Sequence, residues 1–398
     1  MHRAAVIGIG ISTPLGIGVT STWDGLMALR SGIAPVSRFD ASRYPVTFGA
    51  EAVVRPEHAS LRGPALYRQL VDYVLQEACA DLDLQGVPPD RVGVFMGAEA
   101  VRPDPVELAA RIQGDIAPTL HEVAAHMPSA PGLHVAGAVG ARGPVSTYSV
   151  ACTSSGQAVG EALWAIRRGE IDIAFAGGVD VLVHPLMITG FSRLGALSTR
   201  NDDPAGACRP FDQDRDGFVL GDGAGMMILA ADSVADRIGP VLGWLLGYGC
   251  SSNAWRITDS PPDGRGASAA MRAAVADAGR NLDDVVYINA HGTGTLQNDV
   301  SEARGIRRAL GDAAEHAVVS STKSMTGHLV AACGVVESII ALQALRTRVA
   351  PPTRNLARPD PDCPIVHVTE PMDIRAGIAL SNAFGFGGSN ACLAVGVP

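Results

Sequence analysis

Two kinds of segment alternate along this chain, and this alternation constrains its fold more than any other feature. Short apolar runs typical of buried strands are followed by longer stretches in which apolar residues recur at helical spacing. The strand-like runs of the first part are residues 4–9, 92–96, 145–151, 173–176 and 225–229, and residues 65–82 have helical spacing. The pattern predicts an α/β fold with a mixed, mostly parallel sheet covered by helices.

The same pattern begins again near residue 240. Residues 240–249 and 285–289 have the composition of strands, and residues 268–278 and 335–347 that of helices. Ser268 is a suitable N-cap for the first of these helices, and Gly279 ends it. No repeat is visible letter by letter. We predict two halves of similar design, 1–240 and 241–398, that share one continuous core.

Composition excludes several classes of protein. The formal net charge of −9 argues against general nucleic-acid binding. Seven scattered cysteines without a CxxC pair argue against a disulfide framework or a zinc site, and favour the reducing cytoplasm. No apolar run is expected to reach the ~18–20 residues of a membrane span. The start has no signal-peptide pattern and is predicted to be a strand, residues 4–9, followed by a glycine-rich loop.

Cys152 lies between a strand-like run and a helix-like run in VSTYSVACTSSGQAVGEALWAI. A free cysteine is usually a small buried hydrophobic residue. At a strand-to-helix junction, however, unpaired backbone N–H groups and the positive end of the helix dipole favour a thiolate. A nucleophile elbow has this geometry, so Cys152 is a candidate nucleophile.

Three further glycine-bounded stretches carry reactive side chains. His291 lies in VVYINAHGTGTLQND, Lys323 and His328 lie in SSTKSMTGHLVAACGVVE, and Phe386 lies in ALSNAFGFGGSNACLAV. A structural, hydrogen-bonded role is the alternative for each histidine. Each is adjacent to glycine at the end of a strand or helix, where side chains can converge on a pocket. One cysteine and two histidines from separate segments form a known arrangement for nucleophilic catalysis.

Five motifs in this order resemble the β-ketoacyl-[acyl-carrier-protein] synthases of thiolase fold. They are ACTSSG, PFDQDRDGFVLGDGAG, NAHGTGT, STKSMTGH and NAFGFGGSN. The resemblance is greatest to the elongating KAS II type and to the ketosynthases of type II polyketide pathways, and is weakest over residues 98–135. It implies a duplicated, five-layered α-β-α-β-α architecture.

The resemblance also implies roles for individual residues. The catalytic residues would be Cys152 as the acyl-accepting nucleophile, His291, His328, Lys323 and its partner Glu337. The backbone N–H groups of Cys152 and Phe386 would form the oxyanion hole, with Phe386 also the gate. The substrate-binding residues would be Thr293, Thr295, Thr258, Phe384, Phe386 and Ala100. No metal or redox cofactor is expected, because the substrates arrive on the phosphopantetheine arm of acyl carrier protein.

This chemistry requires a thiolate and N–H donors. Cys152 would take an acyl chain from acyl carrier protein as a reactive thioester. Decarboxylation of malonyl-carrier protein would then give an enolate that attacks this thioester, in fatty acid or type II polyketide biosynthesis. One oxyanion donor is typically worth ~2.7–4 kcal/mol in such a reaction.

Two related functions are the alternatives. A thiolase has a second reactive cysteine in a glycine-rich C-terminal motif, but here that stretch is FGFGGSN and Cys392 lies beyond it. A chain-length-factor subunit typically lacks the nucleophile, whereas Cys152 is present. Calcium binding by Asp212, Asp214 and Asp216 is disfavoured, because the glutamate of an EF-hand loop is missing. GIGISTPLG resembles a dinucleotide-binding loop weakly.

The chain departs from the family pattern in two places. The stretch GAEAVRP, residues 97–103, aligns with a glycine-rich GSGIGG loop, so that Glu99 replaces a glycine and Ala100 a bulkier residue near the acyl tunnel. Gly195 aligns with an arginine that helps to dock the carrier, and Arg193 lies two residues away. These departures leave the acyl substrate and the docking surface open.

The resemblance implies acyl carrier protein as a partner, and a homodimer or a heterodimer with a chain-length-factor-like homologue. The segment 133–151 leads into Cys152, and its alternating pattern is that of an edge strand that needs a mate. Neither nucleic acid nor a membrane is expected as a partner.

Overall fold

The computed structural model describes residues 3–103 and 105–398, and for residues 105–107 the backbone alone. Its strands are β1 Ala4–Thr13, β2 Gly16–Ile17, β3 Ala34–Pro35, β4 Phe48–Gly49, β5 Val92–Ala98, β6 Val145–Tyr148, β7 Ile173–Asp180, β8 Gly223–Ala231, β9 Gly243–Ser252, β10 Val285–Asn289, β11 Val318–Ser320, β12 Val349–Ala350, β13 Val366–His367, β14 Met372–Asp373, β15 Ile378–Phe384 and β16 Ser389–Gly396. Its α-helices are α1 Val19–Met27, α2 Gly63–Ala78, α3 Pro105–Gln113, α4 Leu120–Ala125, α5 Ala130–Val139, α6 Ser154–Arg167, α7 Pro185–Arg193, α8 Pro204–Ala207, α9 Ala235–Ile238, α10 Arg265–Asp277, α11 Leu296–Leu310, α12 Lys323–Thr326 and α13 Cys333–Thr347.

The strand order is the same in the two halves of the chain. The first half has the order β6-β5-β7-β8-β1, and the second has the order β11-β10-β15-β16-β9. In each half the first three strands of this order are parallel and the other two are antiparallel to their neighbours. We therefore propose that the halves divide in the segment between β8 and β9, which contains residue 240.

The helices form three layers around these strands. Helices α2 and α5 cover the outer face of the first set of strands, and α10 and α11 cover the outer face of the second. Helices α6 and α13 lie between the two sets and fill the centre of the core. This arrangement confirms the predicted five-layered α-β-α-β-α architecture.

The first strand is longer than the sequence predicts. The glycine-rich residues expected in a loop belong to β1, which continues to Thr13. A Cβ atom at Gly10 would lie 2.1 Å from the carbonyl oxygen of Val74 in α2. The glycines therefore permit α2 to pack closely on the strand, and the prediction of a loop there is wrong.

Other boundaries were predicted with varying success. Strand β10 has the predicted limits. The prediction of Ser268 as an N-cap is wrong, because α10 begins at Arg265 after Gly264, which has a left-handed φ of 65°. The strand predicted to reach Ala151 ends at Tyr148, and a short 3₁₀ turn follows it.

One described helical run is long and apolar enough to cross a membrane, contrary to the sequence prediction. It comprises 18 residues, Val330–Thr347, with a mean hydropathy of 1.4. The protein itself buries 83% of this run, which is largely α13 in the central layer.

Candidate active site

The sequence-predicted site residues meet beyond the ends of four strands. Cys152 follows β6, His291 follows β10, Lys323 follows β11, and Phe384 ends β15. Strands β10, β11 and β15 are parallel neighbours, so their carboxyl ends lie at one edge of the sheet. The segment after β6 reaches the same place from the other half of the molecule.

The structure brings Cys152, His291 and His328 together. The Sγ atom of Cys152 lies 3.0 Å from Nε2 of His328. The two imidazole rings are 5.2 Å apart between centroids and nearly perpendicular, at 77°. The three side chains are buried, and one nitrogen of each ring and the sulfur all lie within 4.8 Å of one another. The expected absence of a metal stays a prediction.

A strained turn presents Cys152. Ala151 has a left-handed φ of 54°, which is rare for a residue with a side chain. The Glu99 carboxylate accepts hydrogen bonds from the Ala151 N–H, at 3.1 Å, and from the Ser149 hydroxyl, at 2.8 Å. Glu99, where the family resemblance implies a glycine, therefore anchors the backbone directly before the nucleophile.

The second half contains the same turn. The 3₁₀ turn Ala151–Thr153 precedes α6, and the 3₁₀ turn Val330–Ala332 precedes α13. Val330, like Ala151, is left-handed, with a φ of 38°. The two helices approach closely at their starts, since a Cβ atom on Gly334 would lie 2.3 Å from the backbone nitrogen of Gly156. His328 lies just before the second turn.

Burial determines the protonation of the three reactive groups. It raises the pKa of the Cys152 thiol to about 12, against the opposite effects of Lys323 and of the backbone N–H groups of Phe386 and Cys152. The resting nucleophile is therefore a thiol, and the thiolate expected at this junction is not the resting form, because desolvation outweighs the favourable dipoles. Burial and the charge of Lys323 lower the pKa of both His291 and His328 well below the usual value, so both rings are neutral at pH 7.

Lys323 and Glu337 lie behind the histidines and do not line the cavity. Both are buried and form an ion pair. Burial raises the pKa of Glu337 to about 7. Burial alone would lower the pKa of Lys323. The negative charge of Glu337 outweighs this effect and raises the lysine pKa above its ordinary value.

A cavity extends from Cys152 to the surface. All the predicted substrate-binding residues except Ala100 line it, namely Thr258, Thr293, Thr295, Phe384 and Phe386. The hydroxyl oxygens of Thr293 and Thr295 are 3.0 Å apart and hydrogen-bonded. Gly195 also lines the cavity. Side chains of Leu194, Ile257 and Leu296 at its mouth are 57%, 78% and 55% exposed.

The predicted role of Ala100 near the acyl tunnel stays a prediction. Ala100 is exposed and does not line the cavity.

Glu302 is a site residue that sequence reasoning missed. Its buried carboxylate accepts the backbone N–H groups of His291, at 2.8 Å, and Gly292, at 2.7 Å. Asn382 donates a third hydrogen bond to it, at 3.0 Å. Glu302 thereby fixes the loop that carries His291. An acidic residue on the apolar side of α11 was the available signal.

The aspartate-rich loop is a structural element. Asp212 accepts the N–H groups of Ala357, at 2.9 Å, and Arg358, at 2.7 Å. Asp214 pairs with the Arg358 side chain, and Asp216 with Arg200 at 3.7 Å. The carboxylates face different partners, in agreement with the structural interpretation of this loop.

The comparisons with known proteins agree with this site. Residues 1–235 match the model of the β-ketoacyl synthase N-terminal domain, and residues 242–357 match that of the C-terminal domain. The chain therefore belongs to the β-ketoacyl synthase family, which makes it a condensing enzyme of the acyltransferase class with a thiolase fold.

Particular relatives are similar over the whole chain. A 3-oxoacyl-[acyl-carrier-protein] synthase 2 of Synechocystis is 39% identical, over 98% of this chain and 97% of that protein. The ketosynthase structure AntDE:AntF, a type II polyketide complex with acyl-carrier protein, has a TM-score of 0.89 and 29% identity, covering 100% of this chain and 99% of that one. The ishigamide ketosynthase/chain length factor has a TM-score of 0.88 and 27% identity, covering 100% and 99%.

Proposed function

We propose that this chain is a catalytically active β-ketoacyl-[acyl-carrier-protein] synthase that uses Cys152 as its nucleophile. The contact of 3.0 Å between Cys152 Sγ and His328 Nε2, at the inner end of the cavity, carries this proposal. A structural subunit of the chain-length-factor type would not need a thiol held against a neutral imidazole. Cys392, the residue nearest to a second thiolase cysteine, lies in a separate part of the core.

The first step is acyl transfer. Cys152 attacks the carrier thioester while its proton passes to Nε2 of His328. A carbon–sulfur bond forms to Cys152, the bond to the carrier sulfur breaks, and the departing thiolate takes a proton from water. The N–H groups of Cys152 and Phe386 both face the nucleophilic sulfur closely enough to lower its pKa, so they suit the oxyanion of this step.

The second step is condensation. Malonyl-carrier protein loses carbon dioxide, and the enolate carbon attacks the acyl group on Cys152. Neutral His291 and His328 lie side by side and donate N–H groups to the negative oxygen that develops. The new carbon–carbon bond releases the Cys152 sulfur, which recovers a proton. Thr293 and Thr295 are suited to hold the phosphopantetheine arm, as the family resemblance implies.

The carrier is expected to dock at the mouth of the cavity. Exposed Leu194, Ile257 and Leu296 surround it, and Arg193 ends α7 beside it. A dimeric assembly, with a second copy or with a homologue, agrees with the ketosynthase complexes named above. The scattered free cysteines support a cytoplasmic enzyme.

Intact-protein mass spectrometry tests this function. After incubation with an acyl-carrier thioester, the protein is expected to gain one acyl mass, and Cys152→Ala is expected to gain none. Cys250→Ala removes an exposed thiol and serves as the control. Acylation of Cys152→Ala to the normal extent would contradict the proposal.

A further inference from the structure

The His328 ring contacts a thiol at each of its two nitrogens. Besides the contact of Nε2 with Cys152, its Nδ1 lies 3.0 Å from the Sγ atom of Cys333. Cys333 is the first residue of α13 and is fully buried. The two steps described above use Nε2 alone, and Cys333 has no part in them.

These two steps make opposite demands on Nε2. In acyl transfer it accepts a proton from Cys152, so it must start without hydrogen. In condensation it donates, so it must carry hydrogen. A neutral imidazole has one N–H, and the partner of the other nitrogen determines which nitrogen carries it. A thiol at Nδ1 suits both forms, because its sulfur accepts and its S–H donates.

The Cys333 proton has a second acceptor close by. Glu337 lies four residues later on α13, and therefore on the same face of the helix. Its Oε1 pairs with Lys323, whereas its Oε2 is buried without a hydrogen-bond partner among the described residues. The Cys333 thiol is near enough to lower the pKa of this carboxyl. Cys152 and Cys333 thus contact opposite sides of the His328 ring, and the buried Glu337 lies one helical turn beyond Cys333.

We propose that Cys333 is a positioning residue that passes a proton between Nδ1 of His328 and Glu337, and thereby switches His328 from acceptor to donor. This inference rests on the proposed ketosynthase function. In the free enzyme, Nδ1–H donates to the Cys333 sulfur, and the Cys333 S–H points to Glu337. Nε2 is then open to the Cys152 proton.

The protons balance over one cycle. When Nε2 takes the Cys152 proton, the Nδ1 proton moves to Cys333 and the Cys333 proton moves to Glu337. His328 is left neutral with hydrogen on Nε2, and Glu337 becomes a neutral acid. When condensation releases the Cys152 sulfur, Nε2 returns its proton to it. Nδ1 then recovers a proton from Cys333, and Cys333 from Glu337.

Nitrogen-15 NMR of histidine-labelled protein reads the tautomer of His328 directly. In the wild type we expect hydrogen on Nδ1 in the free enzyme and on Nε2 after acylation of Cys152. In Cys333→Ala this change should be lost, and the single-turnover rates of both steps should fall about tenfold, the scale of one lost hydrogen bond, with KM for the carrier substrates unchanged. The serine hydroxyl of Cys333→Ser also donates and accepts, so this variant should largely restore the tautomer change and the single-turnover rates.

Cys392→Ala is the matched control, because it removes another fully buried thiol from a different part of the core. An unchanged tautomer switch and rates within about twofold in Cys333→Ala would overturn the proposal, since a lost hydrogen bond costs more than that. If that variant does not fold, the rate of wild-type acyl transfer is measured in mixtures of H₂O and D₂O. A curved plot of this rate against the deuterium fraction supports several moving protons. A linear plot overturns the relay.

The two proposals fail in different ways. If acyl-carrier thioesters never acylate the wild type, the proposed function fails. The tautomer of His328 in the free enzyme still tests the contact with Cys333, because Cys333→Ala should alter it whether or not the substrate is known.

Discussion

At the scale of single residues, His291 and His328 are expected to act mainly in condensation, after Cys152 has been acylated. His291→Ala and His328→Ala are each expected to slow release of carbon dioxide from malonyl-carrier protein by ~10²-fold or more, as the loss of one oxyanion donor does. Radiolabelled malonyl-carrier protein measures this release. The exposed His121, replaced by alanine, is the control. Normal release in both active-site variants would remove the histidines from the mechanism.

The neutral state of these histidines also predicts a pH dependence. Burial and Lys323 lower the pKa of His291 and His328, whereas a histidine in the unfolded chain titrates near ~6.5. Both rings should therefore stay neutral well below pH 6.5. The contribution of these two rings to stability should fall as the pH drops below 6.5, because the unfolded chain then binds protons at these positions and the folded chain does not. An NMR titration of the two rings measures their protonation, and thermal melts of the wild type and the two alanine variants isolate their share of stability. Protonation of either ring near pH 6.5 would contradict the assignment.

At the scale of elements, the turn before α6 depends on Glu99. Glu99→Gly installs the glycine that the family resemblance implies here, but removes both hydrogen bonds to Ser149 and Ala151. We expect roughly 0.5–1.5 kcal/mol less stability, because one exposed and one half-buried donor lose their acceptor. Alkylation of Cys152 by iodoacetamide should slow as the turn loosens. Glu99→Gln keeps one acceptor oxygen, so its stability and its alkylation rate should lie between those of the wild type and Glu99→Gly. Equal alkylation in all three proteins would show that the turn is held by other contacts.

The sequence predicts elements best where one local pattern suffices. Strand β10 is an apolar run with clear ends, and its predicted limits are right. The glycines of β1 and the start of α10 were misassigned, because close packing against α2 and the left-handed Gly264 decide them. In the same way, the motif around Cys152 is visible in the sequence. The anchoring of His291 by Glu302 and the contact of Cys333 with His328 join distant segments, so no local pattern predicts them.

At the scale of the whole molecule, β6 is the outermost described strand of its half, and its other side is open to a partner. Val145 in β6 and Leu133 in the preceding helix α5 are 39% and 60% exposed. An apolar edge of this kind favours pairing with another chain. We expect light scattering to find a dimer at micromolar concentration, alone or with a co-expressed homologue.

Leu133→Glu places a charge on this face and should weaken the dimer. Met372→Glu places the same charge on an exposed position of β14 and should not. A monomer in the wild type, with and without the homologue, would contradict the expectation. Because β6 leads directly into the turn of Cys152, loss of the dimer should also lower the rate of acyl transfer.

The duplicated turn at the centre of the molecule bears on its ancestry. Ala151 and Val330 begin equivalent turns, each before one of the two helices that cross at Gly156 and Gly334. A symmetric pair of identical ancestral halves would have carried two interchangeable turns, and any mutation would have altered both. Because both turns lie in one chain, each can change without the other. One shared geometry serves a nucleophile in the first half and an imidazole in the second.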